Sequence, residues 1–332
     1  LWHAFRRNPE LTAFNVFLPT RIRGPLCPQA LQQSIHVVAQ RHSALRTTFS
    51  DANNLLSQVV SPSLMPEFKV WNMTGATDDQ ILDEVNREVR RPFCLEQGPL
   101  LRVIVLQISS SDWVVVAVTH HIIVDFWSLI VILSELRAVY PQIVAGRKPS
   151  LSPSSDNYRD FVDQQRTLLQ GVQGARMSEY WQRTLDGTSP VLELPTDLAR
   201  PVAFTHQAGG TAIRIGSDAS RRIARLSSEF RATPFAVIHA AVQVLLQRYS
   251  RQTSFFIGSP FSGRSHHQFK QTVGFLINML PVKANVEPQL SFANLVRQTT
   301  VRMLETLDNE ALPIAEIVRQ ASIPRDPSRS PL

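Results

Sequence analysis

Two consecutive apolar runs constrain the fold of this chain more than any other feature. Val103 to Ile108 and Trp113 to Val118 are rich in β-branched residues, which favours two buried strands. The polar link Ser109-Ser110-Ser111-Asp112 joins them, as in a hairpin. A helix is predicted after Asp125, because apolar residues recur at helical spacing as far as Tyr140, and Pro141 should end it.

Helices and strands alternate along the rest of the chain. Helices are predicted from Pro28 to about Arg41, over 79–90, over 158–170 and after the N-cap residues Thr233 and Ser291. The helix after Thr233 should be buried through Phe235, Ile238, Val242, Leu245 and Tyr249. Strands are predicted over 255–257 and 279–286, and residues 146–156 are the most linker-like stretch. The class is therefore α/β in both halves.

Composition narrows the choice of partners and compartment. The formal charge of +7 is spread along the chain without a basic run, which is a weak signature for nucleic-acid binding, so no nucleic-acid partner is expected. Cys27 and Cys94 are too few for a disulfide framework, which favours a reducing compartment. No apolar run approaches the roughly 20 residues of a membrane span. We therefore expect a cytoplasmic protein with no membrane partner.

The segment Thr119-His120-His121-Ile122-Ile123-Val124-Asp125 is the strongest candidate for chemistry. It follows a predicted buried strand, and an imidazole there can accept or donate a proton near neutral pH. Successive strand residues face opposite ways, so His120 and His121 should not share one cleft. The alternative is structural: Asp125 can simply cap the next helix, and a histidine among apolar residues is often part of the core.

Other chemistries lack their motifs. Adjacent histidines diverge and no further ligand falls at metal-binding spacing, so no metal is expected. The second pair, His266-His267, has Gln271 where an acid would be needed, and we interpret it as a polar loop. The nucleophile elbow, the P-loop and the dinucleotide-binding glycine pattern are absent from the sequence. The functions that remain possible for this sequence are acyl transfer and ligand or protein binding.

Several further blocks, in a fixed order, accompany the histidine segment. These segments are His120 to Asp125, Arg41 to Phe49, Tyr158 to Phe161, Tyr180-Trp181, Leu194 to Asp197, Gly258 to Arg264, Val273 to Pro281 and Arg325 to Leu332. Through them the sequence resembles, over nearly its whole length, the condensation domains of nonribosomal peptide synthetases, of the His-His-x-x-x-Asp acyltransferase superfamily.

The resemblance implies an α/β fold of two lobes similar to chloramphenicol acetyltransferase, arranged as a V-shaped pseudo-dimer. Residues 1–166 would form the lobe with the histidine motif. Residues 167–332 would form a second lobe that is incomplete at its C-terminal end, and the opening Leu1-Trp2 looks like the tail of the family's first motif.

The same resemblance implies the reaction and the partners. A donor acyl thioester and an acceptor aminoacyl thioester, both on phosphopantetheine arms of carrier domains, would be joined through an amide bond. The domain itself would bind no cofactor. Its partners would be donor and acceptor carrier domains, with adenylation or polyketide synthase modules adjacent.

Residue roles also follow from the resemblance. His121 would be catalytic, His120 supporting, and Asp125 would pair with Arg46. The substrate tunnel would be lined by Phe126, Trp127, Ser128 and Asn278.

Phe126 stands where the family commonly has Gly. A large ring there could narrow the tunnel or alter which acyl group fits. The alternatives are an epimerisation domain, an ester-forming relative and a non-catalytic platform for docking carriers.

Overall fold

A computed structural model describes residues 1–52, 55–152, 158–205, 209–321, 323 and 326–331. Parts of two predicted segments, residues 153–156 of the linker and both Arg325 and Leu332 of the last block, lie outside the described residues. The chain divides into two compact units. Unit 1 comprises Leu1–Asp163 with Arg264–Leu276, and unit 2 comprises Gln164–Gly263 with Ile277–Leu332.

Unit 1 is built around a four-stranded sheet whose two central strands are the predicted hairpin. The elements are α1 Trp2–Arg7, β1 Asn15–Arg23, α2 Pro28–Arg41, β2 Thr47–Ala52, β3 Leu55–Val60, β4 Glu67–Asn72, α3 Asp78–Val89, β5 Leu101–Ser109, β6 Asp112–His120 and α4 Phe126–Val144. The strand order is β1-β6-β5-β4, antiparallel except for the parallel pair β4 and β5. Leu101 to Leu106 and most of β6 are buried, as strands at the centre of a covered sheet should be.

Glu135 of α4 bonds to two residues at the C-terminal end of α2. His42 Nε2 lies 2.8 Å from Glu135 Oε2, and Arg41 Nε lies 2.8 Å from Glu135 Oε1. Val38 and Ala39 of α2 and Val131 of α4 belong to the same hydrophobic core as the sheet. This packing fixes α4, and with it the turn that precedes the helix.

Helix α4 departs from the prediction at its end. Pro141 lies inside the helix, which continues to Val144. A proline so near the C-terminus costs little, since its missing N–H removes one bond of the last turn and Ala145 N still donates to Pro141 O.

Among the described residues, α4 is the one helix long and apolar enough to cross a membrane. The sequence predicted no apolar run of that length. The Glu135 contacts assign α4 to unit 1.

Unit 2 contains a two-stranded antiparallel sheet and helices packed against it. Two hydrophobic clusters form its core, one around Phe255 and Val296 and the other around Trp181 and Leu280. The elements that follow α4 along the chain are α5 Tyr158–Gln170, which begins in unit 1, α6 Val172–Leu185, α7 Ser217–Phe230, α8 Pro234–Ser250, β7 Ser254–Phe261, β8 Asn278–Asn285, α9 Phe292–Asp308 and α10 Ile314–Gln320.

The predicted inner face of α8 is wrong. Its five large apolar residues are 37 to 62% exposed, these being Phe235, Ile238, Val242, Leu245 and Tyr249. The buried side instead carries Ala236, Val237 and Ala240 together with His239 and Gln243. Because α8 is apolar on nearly every side, its pattern does not single out one face. Small residues allow the helix to approach α9 closely.

Candidate active site

The histidine segment lies at the end of the central strand β6. This strand pairs with β1 on one side and β5 on the other, and His120 is its last residue. His120 N donates to Leu100 O and His121 N donates to Phe14 O, so the backbone of both histidines is held by neighbouring chain segments. A strand held on both sides is a rigid support for a catalytic side chain.

His120 points into the protein. It is 3% exposed, its Nδ1 accepts a hydrogen bond from Ile122 N at 3.1 Å, and the rings of Phe14 and Phe93 meet its imidazole edge-on. Burial, with a smaller effect of the charge on His121, lowers the pKa of His120 from 6.5 to about 4. The imidazole is therefore neutral at pH 7 and stabilises the turn.

His121 is half-buried, in keeping with the expectation that the two rings diverge. Its Nδ1 lies 2.7 Å from Val124 O. A carbonyl oxygen can only accept, so Nδ1 carries the proton, and in the neutral ring Nε2 keeps its lone pair. Phe275 packs edge-on against this ring at 5.2 Å. His121 is thus a fixed imidazole whose Nε2 can accept a proton.

Asp125 holds the other end of the turn. Its Oδ1 accepts from Ser128 N at 2.8 Å, which caps α4, as the structural alternative predicted. Arg264 donates to both carboxylate oxygens, at 2.7 and 2.9 Å, and Leu276 N donates to Oδ2 at 3.1 Å. The side chains of Asp125 and Arg264 are 1% and 3% exposed. This is a buried, bidentate, charge-assisted pair.

The predicted pairing of Asp125 with Arg46 is wrong. Arg46 instead donates to three backbone carbonyls, Ala39 O at 3.0 Å, Gln40 O at 3.2 Å and Ser61 O at 2.8 Å. Ala39 and Gln40 lie in the last turn of α2, whose carbonyls have no partner within the helix. Arg46 satisfies them, and its positive charge suits the helix C-terminus.

The four predicted tunnel residues have different surroundings. Phe126 and Trp127 are 73% and 44% exposed at the start of α4, so both are available to a ligand. Ser128 is fully buried, and its hydroxyl accepts from Gly274 N at 3.1 Å, so its predicted lining role is wrong. Asn278, in unit 2, donates to Glu310 O and Leu312 O and accepts from Ile314 N. These bonds give Asn278 a structural role, and its lining role stays a prediction.

Gly274 and Tyr158 lie in segments that carry the family resemblance, but the sequence alone gave them no role. A Cβ added to Gly274 would lie 2.1 Å from a ring carbon of Tyr158, so only glycine fits there. The Tyr158 hydroxyl donates to Phe275 O at 3.1 Å, and Phe275 is the residue that packs on His121. Burial raises the pKa of Tyr158 to about 12, so this hydroxyl stays protonated.

Within the described part of the chain, no three His, Cys, Asp or Glu side chains come together as metal ligands would.

The segment Arg264–Leu276 belongs to unit 1, whereas the predicted division at residue 166 places it in the second lobe. Arg264 and Leu276 both bond to Asp125, which explains why this segment joins the first unit.

Known proteins share both the sequence pattern and the fold of this chain. The family model described as "Condensation domain" matches residues 1–332. Over its whole length the chain is 34% identical to one of the proteins that make up the linear gramicidin synthase of Brevibacillus parabrevis, and it spans 6% of that protein.

Two solved structures show the fold. The first, a four-domain nonribosomal peptide synthetase bound to AMP and glycine, matches with a TM-score of 0.87 and 19% identity over 99% of this chain and 25% of that one. The second, the X-domain of teicoplanin biosynthesis in complex with OxyB, matches with a TM-score of 0.87 and 24% identity over 99% of this chain and 73% of that one.

Proposed function

Because the chain belongs to the condensation domain family, we propose that it joins two carrier-bound acyl groups through an amide bond, with His121 as the catalytic residue. The observation that supports this most directly is the Nδ1 contact with Val124 O, which leaves Nε2 of His121 as a proton acceptor. The similar proteins are much longer synthetases, and this supports the proposal that adjacent modules deliver the substrates.

The proposed step is an attack by the α-amine of the acceptor on the thioester carbonyl of the donor. A carbon–nitrogen bond forms, the carbon–sulfur bond breaks, and the proton released by the nitrogen passes to His121 Nε2 and then to the leaving thiolate. Both substrates arrive on phosphopantetheine arms of carrier domains, so the domain needs no cofactor of its own.

A strong base is unnecessary for this reaction. An α-amino group has a pKa of about 7.7 to 8.0, so about a tenth is already neutral at pH 7, and deprotonation costs on the order of 1 kcal/mol. The greater contributions come from placing two tethered reactants and from relieving charge on the nitrogen in the tetrahedral state. A fixed imidazole at the end of a paired strand suits both.

The experiment is an acyl-transfer assay with loaded donor and acceptor carriers, read out by mass spectrometry of the acceptor arm. Replacing His121 with Ala should lower the transfer rate at least about 100-fold, the usual contribution of a general base. His267→Ala is the matched control, because His267 is exposed in the second histidine pair. Transfer by His121→Ala at the wild-type rate would remove the role of His121, and the chirality of the product separates condensation from epimerisation.

A second candidate function is protein docking without transfer. It is favoured by Phe126, which is 73% exposed where the family commonly has Gly, and by the solved X-domain, which forms a complex with OxyB. Carrier binding by the protein without any turnover, unchanged in His121→Ala, would support docking. Measurable transfer would contradict it.

A further inference from the structure

A large apolar cavity lies within unit 1 and reaches the underside of the histidine turn. It has a volume of about 360 Å³, with β1, β6 and β5 on one side and α2 and α4 on the other. Ala117, a small residue on the central strand β6, lines it where a larger side chain would fill the space. Phe17 and Leu133 also line it and are 50% and 47% exposed, so the cavity opens to the surface between the edge strand β1 and α4.

The size of the cavity sets the class of ligand. Protein interiors are normally close-packed, and an engineered apolar cavity of ~150 Å³ already binds benzene. A cavity of about 360 Å³ therefore has room for an unbranched aliphatic chain of roughly ten carbons. Its lining is apolar apart from Thr20, Thr119, Arg137 and Tyr140.

Arg137 favours a ligand that carries a negative charge. This exposed arginine lines the cavity, and no carboxylate of the described residues pairs with it. Tyr140, one turn further along α4, also lines the cavity, and its hydroxyl accepts a hydrogen bond from Cys27 N. A guanidinium beside an apolar cavity complements a carboxylate that carries an aliphatic chain. We propose that this cavity binds a medium-chain fatty acid, with the carboxylate at Arg137.

The site is distinct from the catalytic one. Arg137 lies roughly 16 Å along α4 from Phe126, at ~1.5 Å per residue. At the other end, Thr119 and Val124 line the cavity, and Val124 O is the acceptor for His121 Nδ1. The tail of the fatty acid would thus pack beneath the turn that holds His121. This inference does not depend on amide-bond formation, and failure of the acyl-transfer assay leaves it untouched.

The test is calorimetric titration of the protein with decanoate below its micellar concentration, with 1-decanol as a probe that lacks the charge. We expect binding of both. Arg137→Gln should weaken decanoate about tenfold and leave 1-decanol unchanged, since it removes one charge-assisted bond. Arg147→Gln is the matched control, an exposed arginine that follows α4 and does not line the cavity.

Two further variants test the cavity itself. Ala117→Phe should weaken binding of both probes by occupying part of the space, and Leu133→Trp should do the same from the exposed rim, where the fold tolerates a larger side chain. Failure of the wild type to bind decanoate would overturn the proposal. So would decanoate binding that Arg137→Gln and Leu133→Trp leave unaltered.

Discussion

At the scale of single residues, the carboxylate of Asp125 is the most constrained group of the candidate site. It lies within hydrogen-bond distance of donors from Ser128, Arg264 and Leu276. Asp125→Asn would remove the negative charge that pairs with the guanidinium of Arg264, whose side chain is 3% exposed. Breaking one partner of such a buried pair costs about 3 to 5 kcal/mol, and we expect the free energy of unfolding to fall by that amount.

Denaturant unfolding of the two proteins checks this prediction. The matched control is Asp112→Asn, because Asp112 pairs with Arg21 at 2.7 Å on the surface, where solvent screens the charges. The control should unfold almost as the wild type does. If Asp125→Asn were no less stable than this control, the buried pair would not contribute as the contacts indicate.

The same residue shows where sequence reasoning stops. The position of Asp125 after a strand and before an apolar periodicity predicts its capping role, which the Ser128 contact confirms. The positively charged partner of Asp125 could not be predicted in this way. It is Arg264, which lies 139 positions away and meets Asp125 only in the folded chain. Arg46, taken from the family resemblance, satisfies helix carbonyls instead.

At the scale of elements, two glycines where α5 gives way to α6 make a matched pair. A Cβ at Gly174 would lie 2.1 Å from the backbone oxygen of Leu169, whereas one at Gly171 would approach no atom closer than Leu168 O, at 3.5 Å. Backbone atoms cannot move aside as a flexible side chain can. Gly174→Ala should therefore destabilise the protein by at least about 1 to 3 kcal/mol, the usual cost of overpacking.

Gly171→Ala is the control for the chemistry of the substitution. Gly171 has φ −94, which an alanine adopts freely, so this change should be neutral or slightly stabilising. Thermal unfolding of both variants measures the difference. Equal melting temperatures for the two would contradict the close approach of α6 to Leu169.

Local signals predicted the elements well, and tertiary contacts decided the rest. The hairpin β5-β6 and the N-cap at Thr233 were predicted from β-branched runs and capping residues, and both are present. The buried face of α8 was predicted wrongly. When a helix is apolar on nearly every side, the pattern does not show whether a residue such as Phe235 lies in the core or at the surface. What decides it is the close approach that Ala236 and Ala240 permit.

At the scale of the whole molecule, both units contain a buried histidine, and this links global stability to pH. Burial lowers the pKa of His120 to about 4 in unit 1 and lowers the pKa of His239 in unit 2. His239 is 6% exposed, between Ser259 Oγ at 3.1 Å and Gln243 Nε2 at 2.9 Å. In the unfolded chain both rings regain a pKa near 6.5.

The sign of the effect follows from this difference. Well above pH 6.5 both rings are neutral in the folded and the unfolded state, and the full stability is present. As pH falls below 6.5, the unfolded chain takes up protons that the folded chain refuses, so stability declines until the folded pKa is reached, near 4 for His120. His120 alone contributes a loss of about 3 kcal/mol across this window.

Urea unfolding at a series of pH values from 7 to 4.5 measures the slope. His120→Gln should flatten it, and His120→Gln combined with His239→Gln should flatten it further, whatever either change does to the stability at pH 7. His267→Gln is the control, because its exposed ring has no burial to lose. A wild-type slope in the double variant would mean that carboxylates, and not the two buried imidazoles, govern acid unfolding in this range.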